Sequence, residues 1–303
     1  MDRLEAMTML AAAADSGSFS AASRKLGIPL PTLSRKVAEL EKHLNTRLFL
    51  RSTRKLALTE AGATYLRACT RILELVGDAE AEASGEFSTP RGELTIAAPI
   101  VFGRLHVVPV VSDFLAQFPE INVRMTLSDR NVNLLEDHVD MAARVGALPD
   151  SSMVATRVGA IRRVVCASPD YLAGHGVPRT PDDLAGFTCV TFAGMPGSWT
   201  FENRKYNAQP ERPRCRLNIN TAEAAIDAAI AGVGLTHVLS YQVSRAITEG
   251  KLRVVLREFE PEPTPVHIIH AGRGLLPLKM RRFLEFATPR LRKVLADDNS
   301  KIA

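Results

Sequence analysis

Cysteine is scarce. The chain has four in 303 residues, and Cys69, Cys166, Cys189 and Cys215 show neither a CxxC nor any zinc-like spacing, so no thiolate framework for a metal is expected. They read as reduced, mostly buried thiols, with a redox-sensing pair as the alternative. The signatures of catalysis are missing as well: no GxSxG elbow, no HExxH, no Walker loop and no carboxylate pair beyond chance spacing, which argues against an enzyme and against a resident cofactor or metal. No apolar run approaches the ~18 residues of a membrane span. The start, MDRLEAMTMLAAAADSGSFS, is amphipathic rather than basic and then apolar, so no secretory signal is read there and a cytoplasmic protein without a membrane partner is expected.

Net charge is nearly absent from most of the chain. Residues 59–303 hold 28 basic and 28 acidic side chains, whereas residues 1–58 hold 10 basic and 5 acidic ones, so the whole formal excess of +5 sits in the N-terminal fifth. That distribution suits a small module that meets a polyanion and a larger remainder that does not.

Within the basic fifth, Leu4, Met7, Leu10 and Ala11 recur at helical spacing and predict a helix over 3–14. Ser18 is placed to cap a second helix, and Gly27 to end it in the left-handed conformation. Pro31 suits the first turn of a third helix, whose Leu33, Val37 and Leu40 form one buried stripe. Thr32, Ser34, Arg35 and Lys36 then face outward. A short helix, a glycine turn and a second helix with an exposed hydroxyl and guanidinium face describe a helix-turn-helix that enters the major groove of DNA. The stretch TRLFLRSTRKLALTEAG follows, with two apolar runs flanking RSTRK; it reads as a hairpin wing that brings Arg51, Arg54 and Lys55 to phosphates or the minor groove, Arg54 being the groove-entering residue. A long helix over 60–83, capped by Thr59 and carrying a Tyr65, Cys69, Ile72, Val76 and Ala79 seam, is expected to link and dimerise, and to end at the hinge SGEFSTPRG.

Together, PTLSRKVAELEKHLNTRLFLRSTRKLALTEAG and the downstream GELTIAAPIVFGR, PVVSDFLAQFPEINVRMTLSDR, VDMAARVGALPDSSMVAT, VVCASPDYLAGHGVPRTPDDL and AAIDAAIAGVGLTHV resemble a LysR-type transcriptional regulator over nearly the full chain. The resemblance implies DNA contacts from Pro31, Thr32, Ser34, Arg35 and Arg54. Leu30 departs from it, since a polar residue commonly precedes that proline. Thr236 and His237 depart too, where a Leu-Pro pair commonly follows the glycines.

The implied architecture is an α/β chain: a winged helix-turn-helix over 1–58, a linker helix and hinge over 59–90, and a two-lobed effector domain over 91–303 resembling periplasmic binding proteins. The run of β-rich and helical segments, including a helix around NVNLLEDH, carries the βαβ rhythm of mostly parallel sheets. Ligand contacts are expected where strands end and helices begin: Pro99, Ile100, Val101 and Phe102; Ser128 and Asp129; Asn220 and Thr221, with Asn220 and Glu223 alternatively a capping box. Phe192, Trp199, Thr236 and His237 are candidates for the wall, although packing is the plainer role for the aromatics, and Arg144 for pairing with an anion or a surface acid. The expected partners are promoter DNA, RNA polymerase, a small effector of unknown identity, and further copies of the chain as a homodimer or homotetramer. A catalytic use of the same two lobes, or an architectural DNA binder deaf to small molecules, are the rival readings.

Overall fold

The computed structural model describes residues 2–51, 56–83, 89–148, 153–192, 199, 201, 213–272 and 276–301. Two compact units emerge, Met1–Thr89 with Leu275–Leu278, and Pro90–Gly274 with Lys279–Ala303.

In the first unit, α1 (Arg3–Ser16) starts at Asp2, whose carboxylate accepts the Leu4 N–H at 2.9 Å, and runs two residues past the expected end to Gly17 at φ 60°. Ser18 caps α2 (Phe19–Leu26) by accepting the Ala21 N–H at 3.4 Å. Gly27, at φ 68°, closes it in the left-handed region that glycine enters without a Cβ penalty. The third helix, α3 (Leu30–His43), has Pro31 in its first turn. Leu33, Val37 and Leu40 are buried with Ala6, Leu10, Ala13 and Ala22; the small alanines let the helices approach closely.

Strands β1 (Phe49–Arg51) and β2 (Leu56–Leu58) pair antiparallel with Phe49 opposite Leu58, giving the expected hairpin. Glu41 fastens it to α3, its carboxylate accepting the Leu48 N–H at 2.8 Å and the Phe49 N–H at 3.1 Å. Thr59 accepts the Gly62 N–H at 2.9 Å and starts α4 (Glu60–Ala83). The single seam expected on α4 divides. Cys69 is fully buried, and Tyr65, Leu66 and Leu73 pack on the same core, whereas Ile72 is 40% exposed. Its first half is therefore anchored to its own domain, on a core to which α1 contributes the expected Met7 and Leu10 together with Ala6, Met9 and Ala13, whereas Leu4, expected on that face, is exposed. The expected hinge lies largely outside the described residues.

The second unit begins with β3 (Gly92–Ala98). Then α5 (Ile100–Phe102), a π-turn over Gly103–Val107 and α6 (Val108–Gln117) follow as one helix. This 18-residue helix, Ile100–Gln117, is long and apolar enough by composition to cross a membrane, contrary to the expectation that no run approached that length. It serves instead as a core helix, burying Val101, Phe102, Val107, Val110, Val111 and Phe114.

β4 (Ile121–Leu127) and β5 (Met141–Val145) follow. Between them NVNLLEDH forms turns rather than the expected helix, because the Asn133 carboxamide accepts the Leu135 N–H at 3.1 Å and diverts the backbone. β6 (Val154–Ile161) passes directly into β7 (Arg163–Ala167) in a second lobe. There the order is α7 (Pro169–His175), β8 (Thr188–Phe192), β9 (Arg214–Ile219), α8 (Ala222–Ile230), β10 (Thr236–Leu239), α9 (Ser240–Thr248) and β11 (Arg253–Val255). The chain returns through β12 (Thr264–His270) and closes with α10 (Leu278–Lys301).

The first lobe's sheet has the order β4-β3-β5-β12-β6, and the second lobe's main sheet β10-β7-β11 beside the pair β8-β9. Parallel pairing is less dominant than expected: β12 runs antiparallel to β5 and β6, and β7 antiparallel to both its neighbours. The two crossings between lobes impose this, since a returning strand enters its sheet from the opposite end.

Candidate DNA interface and effector cavity

On α3, Arg35 has a side chain 68% exposed, 3.8 Å from the Glu39 carboxylate, and Leu30 and Pro31 are exposed beside it. Thr32 and Ser34 are half-buried on the same helix. Lys36 behaves otherwise. Its ammonium pairs with the Glu5 carboxylate and its side chain is 18% exposed, so it ties α3 to α1 instead of joining the outward face. The Ser23 hydroxyl donates to the Ile28 carbonyl at 2.5 Å, and the Ile28 N–H to the Ser23 carbonyl at 3.1 Å, fixing the turn that sets the angle of α3. Arg51 is in β1, but its side chain lies outside the described residues, as do Arg54 and Lys55 altogether.

In the second unit a cavity of ≈220 Å³ opens between the two lobes. Pro99, Ser128, Asp129, Arg144 and Phe192 line it as expected, together with Arg130, Arg163, Tyr241 and Gln242, which the sequence reading missed. The first helix turn is already occupied: Asp129 accepts the Ile100 N–H at 3.0 Å, so the chain's own carboxylate takes the anion position foreseen at that N-terminus.

The cations carry the polarity. Among the described residues, the Arg144 and Arg163 guanidinium groups have no hydrogen-bond or ion-pair partner, and burial holds Arg163 below the usual arginine range. Tyr241 is buried, and desolvation pushes its phenol up. The one signal for Arg163 in the sequence was the pair Arg162-Arg163 at a strand start. Arg162 is consumed structurally, its guanidinium donating to both Glu260 oxygens at 2.6 and 2.7 Å where the two inter-lobe crossings lie side by side.

Several expected ligand residues are elsewhere. Ile100 leads a helix without lining the cavity, and Val101 is buried in the core. Phe102 packs edge-on against Tyr241 with ring centres 5.6 Å apart. Asn220 is exposed, and Thr221, not Asn220, caps α8 by accepting the Ala224 N–H at 3.4 Å, so the Asn220–Glu223 capping box does not form; Glu223 pairs with Arg104 across the lobes. Thr236 donates to the Val190 carbonyl at 3.3 Å inside the sheet. His237 is buried between Trp199 and Phe201. Close packing decides the cases of Thr236 and His237, both buried inside the lobe, while Leu239 at the other end of the same strand reaches the cavity.

Family models match both parts of the chain, the bacterial regulatory helix-turn-helix protein, lysR family, over residues 4–63 and the LysR substrate binding domain over 88–292. The chain belongs to the LysR family of transcriptional regulators. It is 36% identical over 294 residues to an HTH-type transcriptional repressor of Pseudomonas aeruginosa (strain UCBPP-PA14), spanning 94% of this chain and 91% of that one. To the HTH-type transcriptional activator AaeR of Escherichia coli (strain K12) it is 31% identical, spanning 93% and 91%. The solved structure of CrgA, a LysR-type regulator from Neisseria meningitidis, superposes with a TM-score of 0.61 at 31% identity, over 95% of this chain and 98% of that one. As a LysR-type regulator the chain is a DNA-binding protein with an effector-binding domain, and its domains are regulatory, not catalytic.

Proposed function

We propose that this regulator binds a near-palindromic promoter site as a cytoplasmic homodimer or homotetramer and that a small anionic or carboxylate metabolite in the inter-lobe cavity controls it. The observation behind the ligand class is the pair of guanidinium groups, Arg144 and Arg163, that have no partner among the described residues and face one cavity in which Asp129, the carboxylate among its described lining residues, is engaged by a backbone N–H. A partly desolvated arginine is relieved by an acceptor that matches its planar fork, and a carboxylate supplies two such oxygens.

Pro31, Thr32, Ser34 and Arg35 meet base edges and phosphates in the major groove, with Arg51, Arg54 and Lys55 on the wing. The exposed Leu30 offers an apolar contact to a thymine methyl. Paired recognition helices in a symmetric oligomer require paired half-sites. The metabolite acts through a difference in its affinity for two arrangements of the lobes, which changes subunit spacing on DNA and thereby the access of RNA polymerase.

The test is a thermal-shift panel of small carboxylates, amines and neutral metabolites on the full chain, repeated with Arg163→Gln. Carboxylates are expected to raise Tm for the wild type and to lose at least tenfold in affinity with the variant. Stabilisation by amines alone would refute the ligand class while leaving DNA binding intact.

A further inference from the structure

Cys189 and Cys215 lie directly opposite each other in the parallel pair β8–β9. Partnered positions on adjacent strands put their side chains on the same face, about 4.8 Å apart at the backbone, inside the about 4.4 to 6.8 Å that a disulfide spans between Cα atoms. Their accessibility differs: Cys215 is exposed and Cys189 is 2% exposed. The Cys215 thiol lies 3.2 Å from the Thr191 hydroxyl and 3.4 Å from the Leu217 carbonyl, and Cys189 donates to the Pro213 carbonyl at 3.4 Å. The two thiols also sense each other. Burial first, and then the charge and hydrogen bond of Cys215, push the Cys189 thiol up to about 12. Cys69 and Cys166 are buried without this arrangement.

We propose that Cys189 and Cys215 are a modification site that a hydroperoxide oxidises to a reversible intramolecular disulfide. The Cys215 thiolate attacks the peroxide, forming an S–O bond and breaking the O–O bond; the departing oxygen takes a proton and leaves as alcohol or water. Cys189 then attacks the sulfenic sulfur, the S–S bond forms, and the hydroxyl departs as water with the Cys189 proton. Two thiols lose two electrons and the peroxide gains them. An exposed attacking thiol beside a buried resolving one is the order that access dictates.

The bridge reaches the cavity through the backbone. β8 ends at Phe192, which lines the cavity, and β9 leads through Thr221 to Ala222, which lines it too. The strand register already shifts between Cys189 and Val190, next to the proposed bond. Any effect of oxidation on metabolite affinity rests on the cavity being the effector site; formation of the bond does not.

The experiment is hydrogen peroxide treatment of the full chain, followed by alkylation under denaturing conditions and mass spectrometry, with dithiothreitol reversal. The expected result is a fall from four alkylatable thiols to two, a loss of two hydrogens, a linked Cys189–Cys215 peptide in a monomeric band on a non-reducing gel, and full recovery with dithiothreitol. In Cys189→Ala a dimedone adduct should appear at Cys215, and in Cys215→Ser no thiol should be lost. A wild-type protein that keeps four thiols, joins Cys215 between chains, or stops at sulfinic acid would overturn the proposal.

Discussion

Acidification should destabilise the second lobe through one histidine. His237 is 1% exposed, tilted against Trp199 at 5.1 Å between ring centres and stacked on Phe201 at 5.9 Å, and its Nδ1 has no hydrogen-bond partner among the described residues. Burial first, and the positive charge of Arg163 second, pull its pKa from the ordinary 6.5 down to about 3. In the unfolded chain the imidazole takes up a proton as pH falls through about 6.5, whereas in the folded chain it stays neutral until about 3. Stability is therefore full above about 6.5 and is lost progressively as pH falls towards 3. At ~1.4 kcal/mol per pH unit, going from pH 7.5 to 5.0 removes ~2 kcal/mol from this group. The chain contains a single tryptophan, so urea unfolding followed by Trp199 fluorescence reports on this lobe. His237→Phe keeps an aromatic ring and removes the titration; between the two pH values it should lose ~2 kcal/mol less than the wild type. Equal losses in the two proteins would refute both the buried neutral imidazole and its assignment away from the cavity.

Other expectations concern single contacts. Arg35→Ala should cost ~1 to 3 kcal/mol on a specific promoter fragment and little on random DNA, measured by anisotropy, if the guanidinium reads a base edge; equal losses on both would show a phosphate contact. Lys36→Gln should leave the salt dependence of DNA binding unchanged, because its ammonium is held by Glu5. Gly62→Ala should lower the melting temperature of the DNA-binding unit, since a Cβ there would lie 2.0 Å from the Leu48 carbonyl oxygen, while Gly77→Ala, where the added methyl meets nothing within 4 Å, should stabilise α4 by ~0.8 kcal/mol in the same assay. Arg162→Met should cost roughly 2 kcal/mol in urea unfolding, reduced from the value for a fully buried pair because both partners keep some exposure; a neutral result would show that the clamp between the crossings adds no stability.

The DNA-binding unit was readable because its determinants are local. Caps at Ser18 and Thr59, the left-handed Gly27 and the Leu33, Val37 and Leu40 stripe each act within a few residues of themselves, and each appears where the spacing put it. Failures there involve distant partners: Lys36 looked like its neighbour Arg35 until Glu5, 31 residues away, claimed it. In the effector unit the split is wider. Pro99, Ser128, Asp129, Arg144 and Phe192 were found at strand and helix ends, yet Val101, Phe102, Thr236 and His237 carry equally suggestive positions and are core.

The amino-acid order alone determined the modules, the confinement of the net positive charge to the first of them, and the helix-turn-helix with its exposed Arg35, since helix caps, periodicity and charge need no third dimension. Folding in space decided which polar groups stay unpaired. Arg163 became a cavity cation, Arg162 a clamp, and Cys189 the partner of Cys215 only when strands far apart in the chain were laid side by side, because burial and pairing are properties of neighbours that the chain order does not specify.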